Sequence, residues 1–188
     1  MKIIGLAGTH ASGKDTIADL LVKKYGFYHV STGDIFREEA MKRYGSIERP
    51  VLYKTANEIR NTEGYDAVSR RALKHYDEVK QDHPNGLVVS GFRAVAEAKV
   101  IKDRGGFLLF VDANADTRFQ RLRDRARVEE GTLTREEFDA REAAENGGVD
   151  PAFNILAIKD ISDAVLVNDS NDVEAFKAQV KQTLKAYL

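Results

Sequence analysis

Residues 5–16 read GLAGTHASGKDT. Gly8, Gly13 and Lys14 stand at the spacing of a phosphate-binding loop, G-x-x-x-x-G-K, in which the next residue is ordinarily Ser or Thr. Here it is Asp15, with Thr16 one position later. Upstream, KIIGLA (2–7) is a short apolar run that reads as a buried strand. Downstream, Ile17, Leu20, Leu21 and Tyr25 recur at helical spacing. Strand, glycine loop and helix in that order give the pattern its meaning. Glycines let several backbone N–H groups face one anion, and the helix N-terminus adds partial positive charge. Lys14 is placed to reach the terminal phosphates of a nucleotide. A chance glycine-rich turn with a solvated lysine is the plain alternative.

Outward from this loop, apolar runs alternate with helical patterns. FYHV (27–30), LVVSGF (87–92), FLLFVDA (107–113) and AVLVND (164–169) read as further strands. TGDIFREEAMKRYG (32–45) reads as a helix, and 50–82 as helical in two pieces broken near Gly64. HPNG (83–86) is a turn. Residues 125–150 are charged and end in NGGVDP, the composition of a flap. A last helix starts near Val173, with Phe176, Val180 and Leu184 on one face. Strands alternating with helices predict an α/β fold, a parallel sheet covered on both faces. In such sheets ligands bind at the carboxyl ends of the strands.

The 188 residues suit one domain with small insertions. Net charge is −1, so nothing global favours a nucleic-acid polymer or an anionic membrane. The chain has no cysteine, which removes disulfides, thiolate metal sites and thiol catalysis. MKIIGLAG is too short for a signal sequence, and a cytoplasmic protein is expected.

The strand ends nominate further residues. VSTGDIFREEA (30–40) sets Thr32 and Asp34 after the second strand, and Arg37 a helical turn on, able to hold a phosphate with two nitrogens. Arg93 follows the third strand. RFQRLRDRAR (118–127) carries Arg118, Arg121 and Arg125 at the spacing of one helix face. Such groups neutralise charge that spreads over a phosphoryl group in transfer. Asn168, after the last strand, could meet a purine or merely cap the final helix. The aspartate at position 15 admits two readings, a magnesium ligand together with phosphate oxygens, or a favourable charge at a helix N-terminus.

Taken together, GTHASGKDT, HVSTGDIFRE, SGFR and the arginine-rich segment resemble the P-loop kinases of small metabolites, over almost the whole chain. STGDIFR resembles the acceptor segment of adenylate and cytidylate kinases. GKDT is similar to the loop of phage-type deoxynucleoside monophosphate kinases and phosphomevalonate kinases. FVDANADTRFQRLRDRAR also resembles dephospho-coenzyme A kinases. The resemblance implies a three-layer P-loop NTPase fold, with a five-stranded parallel sheet and the loop strand central. It implies a helical acceptor-binding insert at about 32–80 and a lid at about 125–150. ATP and magnesium are the implied cofactors. Gly8, Ala11, Ser12, Gly13, Lys14, Asp15, Thr16 and Asn168 would hold the donor, with Asp15 as metal ligand. Thr32, Asp34, Arg37 and Arg93 would hold the acceptor. Lys14, Arg93, Arg121 and Arg125 would act on the phosphoryl group in flight. The implied partners are small nucleotides, and the implied state is a monomer or weak homodimer.

Two departures stand out. Related kinases end the third strand in Asp-Gly, where this chain has Ser90-Gly91, and Phe92 replaces the usual proline before Arg93. The missing acid at 90 and the extra acid at 15 can be complementary. The expected activity is phosphoryl transfer from ATP to a small phosphorylated acceptor, foremost a (deoxy)nucleoside monophosphate. A dephospho-coenzyme A kinase-like enzyme and a catalytically weak ATP-binding sensor are the rivals.

Overall fold

The computed structural model describes residues 2–124, 133–146 and 154–188. The run Ile3–Gly8 forms β1, buried at every position, and it lies in the middle of the sheet. Five strands stand in the order β2-β3-β1-β4-β5: Tyr28–Ser31 is β2, Leu87–Ser90 is β3, Phe107–Asp112 is β4 and Ala164–Val167 is β5. Every pairing is parallel, with Leu6 opposite Ser90 and Gly8 opposite Val111. The chain therefore has the three-layer α/β P-loop architecture.

Alternation along the strands feeds two cores. Ile4, Leu6, Val88, Leu109 and Val111 meet Ile17 and Leu21 of α1 (Lys14–Tyr25) and Phe176 and Val180 of α9 (Val173–Thr183). Ile3, Leu87, Val89, Leu108 and Phe110 face the other way. They meet Ala72 and Tyr76 of α4 (Ala67–Val79), Ala98 and Ile101 of α5 (Val95–Asp103), and Ile158 of α8 (Ile155–Asp160). Both faces are apolar because both are covered, which explains the unbroken hydrophobic runs.

Between β2 and β3 the chain adds α2 (Thr32–Tyr44) and α3 (Arg49–Glu63), the latter opening on a proline where a missing N–H does no harm. Of the insert expected at 32–80, α4 belongs to the sheet's own covering layer, because Ala72, Leu73 and Tyr76 are buried in that core. The third strand ends at Ser90, short of the expected Phe92, whose ring turns into the core instead. After β4 comes α6 (Ala115–Asp124) and then α7 (Arg135–Glu145). The expected lid thus holds a helix. Thr134 and Glu137 cap it reciprocally, and Phe138 packs with Leu122 and Leu133. Its stretches 125–132 and 147–150 lie outside the described residues.

Lys2 and Leu188 meet below the sheet, away from the strands' carboxyl ends. Lys2 Nζ donates to Leu188 O (2.8 Å), and Tyr187 packs on Phe107 with ring centroids 4.7 Å apart. Among the described residues no helix is long and apolar enough to cross a membrane.

Candidate active site

The loop between β1 and α1 is held by its own backbone. Thr9 N–H donates to Val111 O (3.2 Å) and Ser12 Oγ to Thr9 O (2.8 Å). Gly8 has φ 135°, and a Cβ there would lie 1.9 Å from Val111 O, so no other residue fits against β4. Gly13 has φ 110°, and its Cβ would lie 2.5 Å from Asn168 Nδ2. Ala11 takes the left-handed region too, at φ 56°, an uncommon state for a residue with a side chain. The N-cap of α1 is Gly13, which brings no side chain to cap the helix. Lys14 bends its ammonium back to Gly8 O (2.9 Å) and Thr9 O. Burial lowers its pKa from 10.5 to about 8, against the pull of Asp15 and with help from Arg93.

Two cavities flank this loop. The first, about 190 Å³, is lined by Gly8, Lys14, Asp15, Thr32, Arg37 and Arg93, among others. Thr32 Oγ1 donates to Gly91 O (2.8 Å), joining the start of α2 to the turn after β3. Arg37 pairs with Asp34 (2.5 Å), and both side chains are exposed. Asp34 is not among the lining residues and touches the cavity only through that arginine. The second cavity, about 310 Å³, is lined by Thr16, Arg121, Asn168 and Phe176. Ala11 and Gly13 line both. Asn168 is buried there, its amide donating to Ser12 O (2.8 Å). Arg121 donates to Ser170 O (2.6 Å). Ser12 lines neither cavity, since its hydroxyl is spent on Thr9. Arg125 lies outside the described residues.

Arg118 does not share the position of Arg121. It is buried, donates to Ala113 O (2.7 Å) and pairs with Glu142 of α7 (2.6 Å). Its work is to fasten α6 to α7. The expected acid at the end of β3 is replaced by a hydrogen-bonded pair, Ser90 Oγ and His29 Nε2 at 2.9 Å. Burial lowers the His29 pKa, against the pull of Asp34, Asp15 and Asp19.

Three acids escaped the sequence reading. Asp112, the last residue of β4, accepts from Thr9 Oγ1 (2.9 Å) and from the Ala113 N–H (2.9 Å), and so braces the loop. An acid closing an apolar strand was its only signal. Glu97 is buried, and its carboxylate accepts from the N–H groups of Arg93 (2.6 Å) and Ala94 (3.3 Å). Burial raises its pKa in spite of those bonds and of Arg60. Arg60 of α3 reaches Glu97 at 3.5 Å and lies over the Phe36 ring at 4.9 Å. Glu145, the last residue of α7, pairs with Arg93 inside the first cavity. Nothing local in the sequence marks it.

The residues suit a polyphosphate with a magnesium ion. An uncapped helix start, left-handed loop residues and a lysine ammonium face one space. Asp15 is the one carboxylate of the loop beside it, enough for an ion that takes most of its ligands from phosphates and water.

A family model described as an AAA domain matches residues 7–138. A UPF0200 protein of Methanococcus vannielii is 30% identical over 186 residues, covering 98% of this chain and 96% of that protein. A UPF0200/UPF0201 protein of Archaeoglobus fulgidus is 31% identical over 189 residues, covering 98% of this chain; the chain spans only 55% of that relative's length. Among solved structures, shikimate kinase from Bacteroides thetaiotaomicron superposes with a TM-score of 0.58 at 15% identity, over 97% of this chain and 98% of that one.

Proposed function

The chain belongs to the AAA-domain family and to the UPF0200 proteins, and from that premise we propose that it is an ATP- and magnesium-dependent phosphotransferase whose acceptor is a small phosphorylated metabolite, foremost a (deoxy)nucleoside monophosphate. The observation that carries this reading is the pair of cavities sharing Ala11 and Gly13 as a common wall. A donor nucleotide laid across the loop would set its base towards Asn168, Phe176 and Arg121. Its terminal phosphate would face Lys14, Arg37 and Arg93 across the first cavity. A solved kinase with the same fold is compatible with the proposal, but at that identity it speaks for the fold alone.

In the proposed reaction an acceptor phosphate oxygen bonds to the terminal phosphorus of ATP as the bond to the bridging oxygen breaks. The products are ADP and an acceptor longer by one phosphoryl group. An ionised phosphate oxygen needs no general base, so the protein's contribution is alignment and charge neutralisation. Lys14 would hold the donor's terminal phosphates, Arg93 and Arg37 the acceptor, and Arg121 the donor side. Magnesium, held through Asp15 and the donor's phosphates, would supply neutralising charge. Thr32 and Glu97 act indirectly, by fixing the turn that carries Arg93.

The test is ADP release from ATP with magnesium, in the presence of each ribo- and deoxynucleoside monophosphate and of dephospho-coenzyme A. Lys14→Met serves as the inactive control. One acceptor should accelerate release in the parent and not in the variant. Stimulation by dephospho-coenzyme A alone would move the assignment to that rival class. No stimulation by any acceptor, with ATP bound, would leave the sensor.

A further inference from the structure

Helix α7 ends against the grain of its own dipole. Its last turn carries Glu142 and Glu145 and no base, although a helix C-terminus favours positive charge. Each acid is matched by an arginine from elsewhere: Arg118 for Glu142, Arg93 for Glu145. In the first pair a buried guanidinium meets a half-buried carboxylate between helices. The second stands in the cavity beside Lys14 and Asp15. Burial disfavours charge on Glu145, yet Arg93, with His10 and Lys14 beyond it, holds the carboxyl below its ordinary value. The backbone of Arg93 is fixed on both sides. Its N–H donates to Glu97 (2.6 Å) and its carbonyl accepts from the Asn154 N–H (3.1 Å). Only its side chain, 42% exposed, is left to change partner.

We propose that Glu145 determines the acceptor class: its carboxylate keeps the place of the acceptor's phosphate on Arg93, so that a phosphomonoester dianion enters and carboxylates and neutral hydroxyls do not. The term acceptor rests on the phosphotransferase reading; the competition for Arg93 does not. A ligand reaching Arg93 must exchange with an anion already tethered there, at an effective concentration of roughly millimolar or above. A hydroxyl brings no charge to that exchange. A carboxylate replaces like with like and loses to the tethered copy. A phosphomonoester brings about −1.5 to −2 charges at pH 7 and three acceptor oxygens, enough for Arg93 and Arg37 together. Its charge then repels Glu145 from a position that the helix dipole already disfavours. The room available agrees. The cavity of about 190 Å³ is smaller than the roughly 300 Å³ at which ligand pockets begin, and Glu145 is one of its walls.

The experiment is calorimetric titration of inorganic phosphate, and separately of acetate, into protein saturated with ADP and magnesium. It compares the parent, Glu145→Gln, Glu145→Asp, and Glu145→Gln combined with Arg93→Ala. Glu145→Gln should tighten phosphate binding by about tenfold, the worth of a released charge-assisted hydrogen bond. It should also let acetate bind where the parent takes none. Glu145→Asp, which keeps the charge at a shorter reach, should fall between. With Arg93→Ala present, Glu145→Gln should change nothing. Unchanged or weaker phosphate binding by Glu145→Gln, with ADP binding intact, overturns the proposal. The two readings fail separately. An acceptor screen without turnover, beside tighter phosphate binding by Glu145→Gln, removes the kinase and keeps the competition; turnover with an indifferent Glu145 does the reverse.

Discussion

The ammonium of Lys14 is buried in the loop that it serves, and burial lowers its pKa from 10.5 to about 8 although Gly8 O accepts from it. Between those two values the unfolded chain binds more protons than the native one, so the unliganded protein gains stability as pH rises through that window. Phosphate ligation works the other way, since it needs the charged form. Nucleotide affinity should therefore decline as pH rises through about 8, and Lys14→Arg, which stays protonated, should bind with a flat profile. Titrations with ATP on either side of pH 8 check this. Asp15 yields a second expectation. On the proposed reading, with Ser90 bound to His29 where related kinases have an acid, the loop carboxylate would be the one to meet the metal. Asp15→Ala should lower magnesium-dependent turnover by about a hundredfold or more while metal-free ATP binding holds or improves. Turnover and metal dependence that both survive the change would return Asp15 to a helix-terminus role.

Elements in this fold communicate through buried charge. Glu97 of α5 holds the turn after β3 by two backbone N–H groups, and Arg60 of α3 meets it in the interior. Glu97→Ala should cost about 3–5 kcal/mol, because it removes the acid that a buried guanidinium meets and frees the turn. Urea unfolding measures it, and a loss below about 1 kcal/mol would show that the pair is bystander chemistry. The loop, the strands and the carboxyl-edge location of the candidate site were legible in the sequence, because each rests on local pattern: an apolar run, a glycine spacing, a helical period. What was not legible depends on partners far apart in the chain. Arg118 and Arg121 are equivalent by spacing, yet Glu142 draws one inward and Ser170 the other into a cavity. Glu145 is one acid among many in a charged stretch until α7 brings it to Arg93. The six residues of α8 are too few to show a period.

At the scale of the molecule, the proposed reaction would be divided between two cavities on the two sides of one loop. A ligand that joins both halves, two nucleosides linked through five phosphates, should bind at least about a hundredfold more tightly than ATP, since the second contact becomes intramolecular. Thermal shift and calorimetry read this directly. Affinity no better than that of ATP would mean that the cavities do not serve one transfer. The opposite pole of the protein has its own use. Lys2 and Leu188 are bonded to each other beneath the sheet, while both cavities open at the strands' carboxyl edge. A dye attached through the Lys2 side chain would sit at the floor of the molecule and leave the mouths of both cavities facing solution.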